Sequence, residues 1–190
     1  MKKQSQFLQG HCIALIFPLL LVFAGCGQTT TIKEKTTAPK TDIHTAVVTG
    51  DAAVLKQHIA ARSDLNTKDP IGGSSPLITA CLFGKTELAK ILIDAGADIN
   101  FKNNDGSTPL HTAAFFCRPE IVQMLLAARA DKTIKNKYGQ TPAEIVSTPF
   151  AAVKSIYENM EKMLAPMGLK LDYTYIGKTR PQIAAMLNKP

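Results

Sequence analysis

A 33-residue echo constrains this chain more than any other feature. Gly73-Ser74-Ser75-Pro76-Leu77 returns as Gly106-Ser107-Thr108-Pro109-Leu110, then as Gly139-Gln140-Thr141-Pro142-Ala143, 33 residues apart each time. Ala80 pairs with Ala113, Leu88 with Ile121, Leu92 with Leu125, Ala97 with Ala130 and Asp98 with Asp131 at the same spacing. A fixed period of this length marks an array whose units bury their apolar faces on one another. The local signals are helical. Ser75, Thr108 and Thr141 are hydroxyl N-caps, each followed by a Pro at the first helical position, where an amide donor is dispensable. Thr141-Pro142-Ala143-Glu144 also forms a capping box. Leu88, Ile91, Leu92 and Ala95 make one buried stripe on a second helix, and Gly96 suits a left-handed stop. Trp is absent and aromatics are 6% of the chain, so Leu, Ile and Ala must supply the helix contacts.

The run Thr108-Pro109-Leu110-His111-Thr112-Ala113-Ala114 resembles the ankyrin repeat signature. That resemblance implies an all-α fold: an ankyrin-repeat α-solenoid of about four helix-turn-helix units, with short turn fingers and a C-terminal helical cap. The repeats occupy 41–164, as units 41–69, 73–103, 106–136 and 139–164. In the first, Thr41-Asp42-Ile43-His44-Thr45-Ala46 aligns with Thr108–Ala113, and Asp42 replaces the Pro. An acid at the first turn is favoured by the helix dipole. In the third, Cys117 stands where Gly84 stands one unit earlier, and Arg129 where Gly96 stands, so both turns are expected to be strained or reshaped. The fourth loses the pattern after Val146. Thr148-Pro149 there predicts a long helix to about Met163, with Val153, Ile156, Tyr157 and Met160 facing inward. Thr179-Arg180-Pro181-Gln182 reads as another capping box and predicts a short helix through about Leu187. With Leu169, Leu171, Tyr173 and Ile176 it would cover the last repeat, making 165–190 a C-terminal cap; a partner-binding tail is the alternative.

The first residues read differently. Met1-Lys2-Lys3 precedes an apolar run from Cys12 to Ala24. A run that short falls below the ~20 residues of a bilayer span and fits the apolar core of a signal peptide, residues 1–25. Phe23-Ala24-Gly25-Cys26 resembles the lipobox of bacterial lipoproteins. The resemblance implies lipidation of Cys26 by acyl chains, each buried methylene adding about 0.8 kcal/mol of membrane affinity. Gly27 after that cysteine, by resemblance to lipoprotein sorting, implies the outer membrane, facing the periplasm. Cleavage at a nearby small residue to release a soluble secreted protein is the other reading. Residues 26–40, rich in Thr, Lys and Gln, predict a disordered tether reaching about 20 Å.

Chemistry-bearing patterns are sparse. His44 and His111 share one place in the repeat, where by the resemblance an imidazole hydrogen-bonds between turns. No pair of histidines has metal-ligand spacing. No phosphate loop, nucleophile elbow or Cys–His pairing occurs. Asp98 and Asp131 recur with the period and read as turn formers. These features predict no catalytic residues, no metal, no cofactor and no small-molecule substrate. The net charge of +7 comes from scattered basic residues, which argues against nucleic acid as a partner. Cys81 and Cys117 predict two separate, mostly buried thiols. The resemblance places Leu82-Phe83 and Phe115-Phe116 at the ends of inner helices, on the concave face. An apolar patch there would bind a protein partner, rimmed by fingers carrying Phe101 and Tyr138. The function implied is non-enzymatic protein binding by a membrane-anchored lipoprotein in the bacterial envelope. Two forms of it are open: inhibition or immunity against an exported enzyme or toxin, and structural or protective support of an envelope enzyme.

Overall fold

The computed structural model of the chain describes residues 37–189. The expected signal peptide, the expected lipidation at Cys26 and the expected tether as far as residue 36 lie outside the described residues. Three helix pairs open the array. The inner helices are α1 (Ile43–Thr49), α3 (Pro76–Phe83) and α5 (Pro109–Phe115); the outer ones are α2 (Ala52–Ala60), α4 (Thr86–Asp94) and α6 (Pro119–Ala127). A fourth inner helix, α7 (Pro142–Ser147), continues the stack on α5. Inner helices pack on inner helices and outer on outer, so one continuous core of Leu77, Leu88, Leu92, Leu110, Ile121 and Leu125 runs through the units. Among the described residues there are no strands, and no helix is long and apolar enough to cross a membrane.

The caps are those the sequence specifies. The Thr45 amide donates to Asp42 at 2.9 Å, and Asp42 sits at the N-cap of α1. Ser75 accepts from the Ile78 amide. At α7 the Thr141 amide donates to Glu144 and the Glu144 amide to Thr141. One box was not legible as such: at α5 the third helical residue is His111, whose Nδ1 accepts the Thr108 amide at 3.2 Å. The fingers stack through backbone bonds from Asn104 to the Gly72 carbonyl and from Lys137 to the Asp105 carbonyl. Gly106 (φ 72°) permits this, because a Cβ there would stand 3.2 Å from the Lys137 nitrogen. In the third unit the turns keep their shape and take the strain instead. Cys117 (φ 53°) and Arg129 (φ 65°) both occupy the left-handed region that Gly84 and Gly96 fill in the second unit, as Arg62 (φ 56°) does in the first.

The fourth unit departs from expectation. The helix after α7, α8 (Phe150–Leu164), does not take the outer position beside α6. That place belongs to α9 (Tyr173–Leu187), which lies against α7 and α6. The register explains why. Arg118-Pro119-Glu120-Ile121 and Met124-Leu125 reappear as Arg180-Pro181-Gln182-Ile183 and Met186-Leu187, 62 residues on, which is one 33-residue period plus 29. The fourth repeat is therefore present but split by an insertion of 29 residues that carries α8. The helix start read at Thr179-Arg180-Pro181-Gln182 is the repeat's own outer-helix start, and in this unit it does not start a helix. α9 begins earlier, at Tyr173, where Asp172 accepts the Tyr175 amide. Glu161 fixes the approach by accepting from the Leu171 amide and the Tyr173 hydroxyl. Thr179 is consequently buried in mid-helix, and Pro181 lies inside α9. α8 crosses the ends of the inner helices with Tyr157 inward and Val153 half-buried. Ile156, expected inside, is 48% exposed.

Candidate functional site

The concave-face residues divide into two groups. Leu82 and Phe83, ending α3, are each half-buried. Behind them the Leu82 carbonyl accepts from Arg118 Nη2 at 3.2 Å, and the guanidinium lies so close to Gly84 that a Cβ there would meet its Cζ at 2.8 Å. Glycine adopts the φ of 64° at this turn without strain, and a Cβ there would have to push the guanidinium aside.

Phe115 and Phe116, one repeat on, do not form open surface. Phe116 is 2% exposed and belongs to the interior. Phe115 is half-buried and stacked on Tyr157, with ring centroids 4.4 Å apart and planes 14° from parallel. Phe116 meets Phe115 edge-on at 5.1 Å. The expected four-residue patch is corrected accordingly. α8 covers the third unit's rings, while the second unit's pair stays partly exposed. Offset-stacked and edge-to-face pairs contribute about 0.5–1.5 kcal/mol beyond their buried area, so Phe115 and Phe116 act as core aromatics.

Tyr157 does more than stack. Its hydroxyl donates to the Phe115 carbonyl at 2.5 Å and accepts from Arg180 Nη1 at 2.7 Å. Arg118 reaches the corresponding Leu82 carbonyl directly, whereas its repeat-mate Arg180 reaches Phe115 through the tyrosine. Burial raises the Tyr157 phenol above its ordinary range, which keeps it a neutral hydroxyl.

At the fingers, Phe101 is half-buried beneath Lys68, whose Nζ lies 5.8 Å from the ring centroid. Tyr138 is 72% exposed at the third finger's tip. Ile71, at the first finger's tip, is 80% exposed and was missed from sequence. The signal for it was available in the first connection, because Asp64-Leu65-Asn66 and Asp98-Ile99-Asn100 stand 34 residues apart rather than 33, which puts one extra residue between 69 and 74. Asn103 and Asn136 hold the second and third fingers by accepting two backbone amides each, while Asp69 does the same for the first with three. Asp98 and Asp131 are turn formers, accepting from the Asn100 and Thr133 amides.

The histidines bridge turns. His111 Nε2 donates to the Gln140 carbonyl at 3.0 Å and His44 Nε2 to the Thr67 carbonyl at 2.9 Å. Burial holds His111 below the usual imidazole value. Cys81 and Cys117 are free, buried thiols. Burial pushes Cys117 up to about 11 and Cys81 higher still, so neither is a nucleophile.

Comparison with known proteins identifies the repeat. Residues 43–136 match the ankyrin repeat family, in three copies. The match ends before the fourth repeat, the one that the 29-residue insertion splits. A 59-residue segment is 37% identical to inversin from Gallus gallus, covering 31% of this chain and 5% of that protein. The ankyrin repeat domain of Bcl-3, described as a unique member of the IkappaB protein family, superposes with a TM-score of 0.53 at 28% identity, over 54% of this chain and 45% of that one. This chain therefore spans about a twentieth of inversin and less than half of the Bcl-3 chain. Ankyrin repeats are protein-interaction scaffolds and generally not catalysts.

Proposed function

We propose that this ankyrin-repeat chain holds a protein partner on the open part of its concave face while Cys26 moors it to a membrane of the bacterial envelope. The observation that carries the reading is the pair Leu82 and Phe83, half-buried with no ring stacked on them, together with fingers that present Ile71 and Tyr138 to solvent. Seating one such side chain on a partner is worth about 1.5–3 kcal/mol. Because α8 covers Phe115 and Phe116, the partner's footprint centres on the first two units.

A photo-crosslinking residue at Phe83 tests the binding half, with the same residue at Gln123, exposed on α6, as control. Adducts to one protein from position 83 but not from 123 support the proposal. Equal labelling from both positions defeats it. Mooring is tested separately: Cys26→Ser should lose fatty-acid label and move the chain from the membrane to the soluble fraction. A single stoichiometric partner with an enzymatic or toxic activity lost in the complex would favour inhibition over structural support.

A further inference from the structure

The insertion that splits the fourth repeat carries more apolar surface than its packing uses. Among the described residues the large apolar side chains left exposed are the finger tips Ile71 and Tyr138, and then Ile156, Met163, Met167 and Tyr175, all between 156 and 175. A helix laid on one neighbouring surface needs one apolar stripe. α8 has it in Phe150, Val153, Tyr157 and Leu164, which are buried or half-buried. Ile156, Met160 and Met163 make a second stripe, at i, i+4 and i+7. That one is open: Met163 is 64% exposed and Met160 half-buried. It runs on into the single turn Ala165–Met167, where Ala165, Pro166 and Met167 are all exposed. Gly168 (φ 87°) ends the turn and Leu169 is buried, which pins its base while the apolar tip stays in solvent.

The charges around this flank leave one sign over. Lys162 and Lys170 bracket the turn, and both are exposed. Between Glu161 and Asp172 the sequence has no acid. The acids nearby are engaged: Glu161 accepts from the Leu171 amide and the Tyr173 hydroxyl, and Asp172 accepts from the Tyr175 amide. Glu158 pairs with Lys154 at 3.4 Å. At 100° per residue it also lies about 140–160° round the helix from Ile156 and Met163. Among the described residues the ion pairs are Lys90–Asp94 and Lys154–Glu158, so Lys162 and Lys170 have no carboxylate partner there.

We propose that this flank of α8 and the turn after it dock on an anionic lipid surface, as a second contact beside the mooring. Exposed apolar side chains set between unpaired lysines match the boundary of headgroups and acyl chains. An amphipathic helix lies there in the plane of the surface, its apolar side buried by about 5–10 Å. Unbranched methionines adapt to so irregular a neighbour. The proposal extends the membrane half of the proposed function and rests on it for the surface to be within reach. Alone the contact is reversible, because stable anchoring takes two signals, so it does not hold the chain on a membrane once the acyl chains are lost. The mooring enters ahead of the first repeat and the flank belongs to the fourth, so together they set how the array is oriented to the surface.

The chain has no Trp, so one introduced indole reports on a single place. The test uses the full-length chain with Cys26→Ser, so that acyl chains do not mask the contact. It is titrated with vesicles of acyl-brominated phosphatidylcholine containing about a third phosphatidylglycerol. Met167→Trp, and Met163→Trp as a second reporter, should shift their emission to the blue and be quenched. Gln123→Trp, exposed on α6, should do neither. Each lysine near an anionic surface contributes about fivefold in affinity, so Lys162→Glu with Lys170→Glu should raise the lipid needed for half-quenching at least tenfold. Circular dichroism should be unchanged, since both lysines are exposed. No quenching at either reporter, equal quenching at position 123, or quenching indifferent to the two lysines would each overturn the proposal. A blue shift that needs no vesicles and grows with chain concentration would assign the flank to a second copy and overturn it as well. Mooring is read apart, by fatty-acid label and fractionation, so the failure of one leaves the other to its own measurement.

Discussion

Removing one oxygen, in Tyr157→Phe, tests whether α8 is integral to the array or merely rests on it. The ring remains, so its stacking on Phe115 is preserved. Two hydrogen bonds vanish: the one donated to the Phe115 carbonyl and the one accepted from Arg180 Nη1. A neutral bond contributes about 0.5–1.5 kcal/mol and one to a charged group about 1.5–3. Loss of both should cost about 2–4 kcal/mol, because Arg180 is too deeply buried for water to replace the hydroxyl. For a folded region of this size each kcal/mol lowers Tm by about 2–4 °C, so Tm should fall by about 5–15 °C. Urea unfolding followed by circular dichroism supplies the free energy, with an unchanged m-value showing that the same surface unfolds. Tyr173→Phe is the control. It removes a hydroxyl bonded to Glu161 at the surface, where the carboxylate pushes the phenol up to about 12, and it should cost clearly less than Tyr157→Phe. If Tyr157→Phe is as mild as Tyr173→Phe, the tyrosine is not the link between Arg180 and the third repeat, and α8 is peripheral.

Arg129→Gly should raise stability by about 0.5–1 kcal/mol, because an exposed side chain at φ 65° gives up its left-handed strain and loses nothing buried. Cys117→Gly relieves the same backbone but empties a fully buried site beside Tyr157 and Ile176, so urea unfolding should show no gain. Lower stability in Arg129→Gly would refute the strain argument. Stability should fall as pH drops from 6.5, since His111 has a folded pKa below the unfolded value and the unfolded chain binds the proton first. The loss ends once the folded imidazole is also protonated. In His111→Gln that part of the pH slope should disappear, and an unchanged slope would place the proton elsewhere. Iodoacetamide at pH 8 should label neither Cys81 nor Cys117 in the native chain and both in urea, read by mass spectrometry; native labelling of either would contradict their burial.

The repeat array was legible because its determinants are local and periodic. Ser75, Thr108 and Thr141 each announce a helix start, and Leu88, Leu92, Ile121 and Leu125 recur on the face that must be buried. Asp98 and Asp131 were readable as turn formers because recurrence with the period is itself a structural signal. The patch was read less well. Phe115 and Phe116 sit where the repeat puts concave residues, and nothing local in them shows that a helix 42 residues later will lay Tyr157 across the ring. Long-range cover of this kind is decided by the path of the insertion, which leaves no periodic trace. Arg180 illustrates the reverse case. Its Arg-Pro pair with the following Ile, Met and Leu does repeat 118–125, but at 62 residues rather than 33, so a fixed-period reading passes over it.

The insertion has a consequence for binding that follows from its position. A solenoid's last unit needs cover over its apolar outer side. Here the split fourth repeat provides this by sending α9 back into register against α6 and α7, which leaves α8 free to lie elsewhere. It lays Tyr157 on Phe115 at the end of α5, so that ring is not reached together with Phe83. The same insertion that completes the array therefore shortens the open concave face, and a partner that used the third unit's rings would meet α8. Lengthening the face by deleting α8 is not an available route to a wider footprint. Without Tyr157, Arg180 would be left buried with one acceptor fewer, and the unit that closes the stack would be the first to loosen.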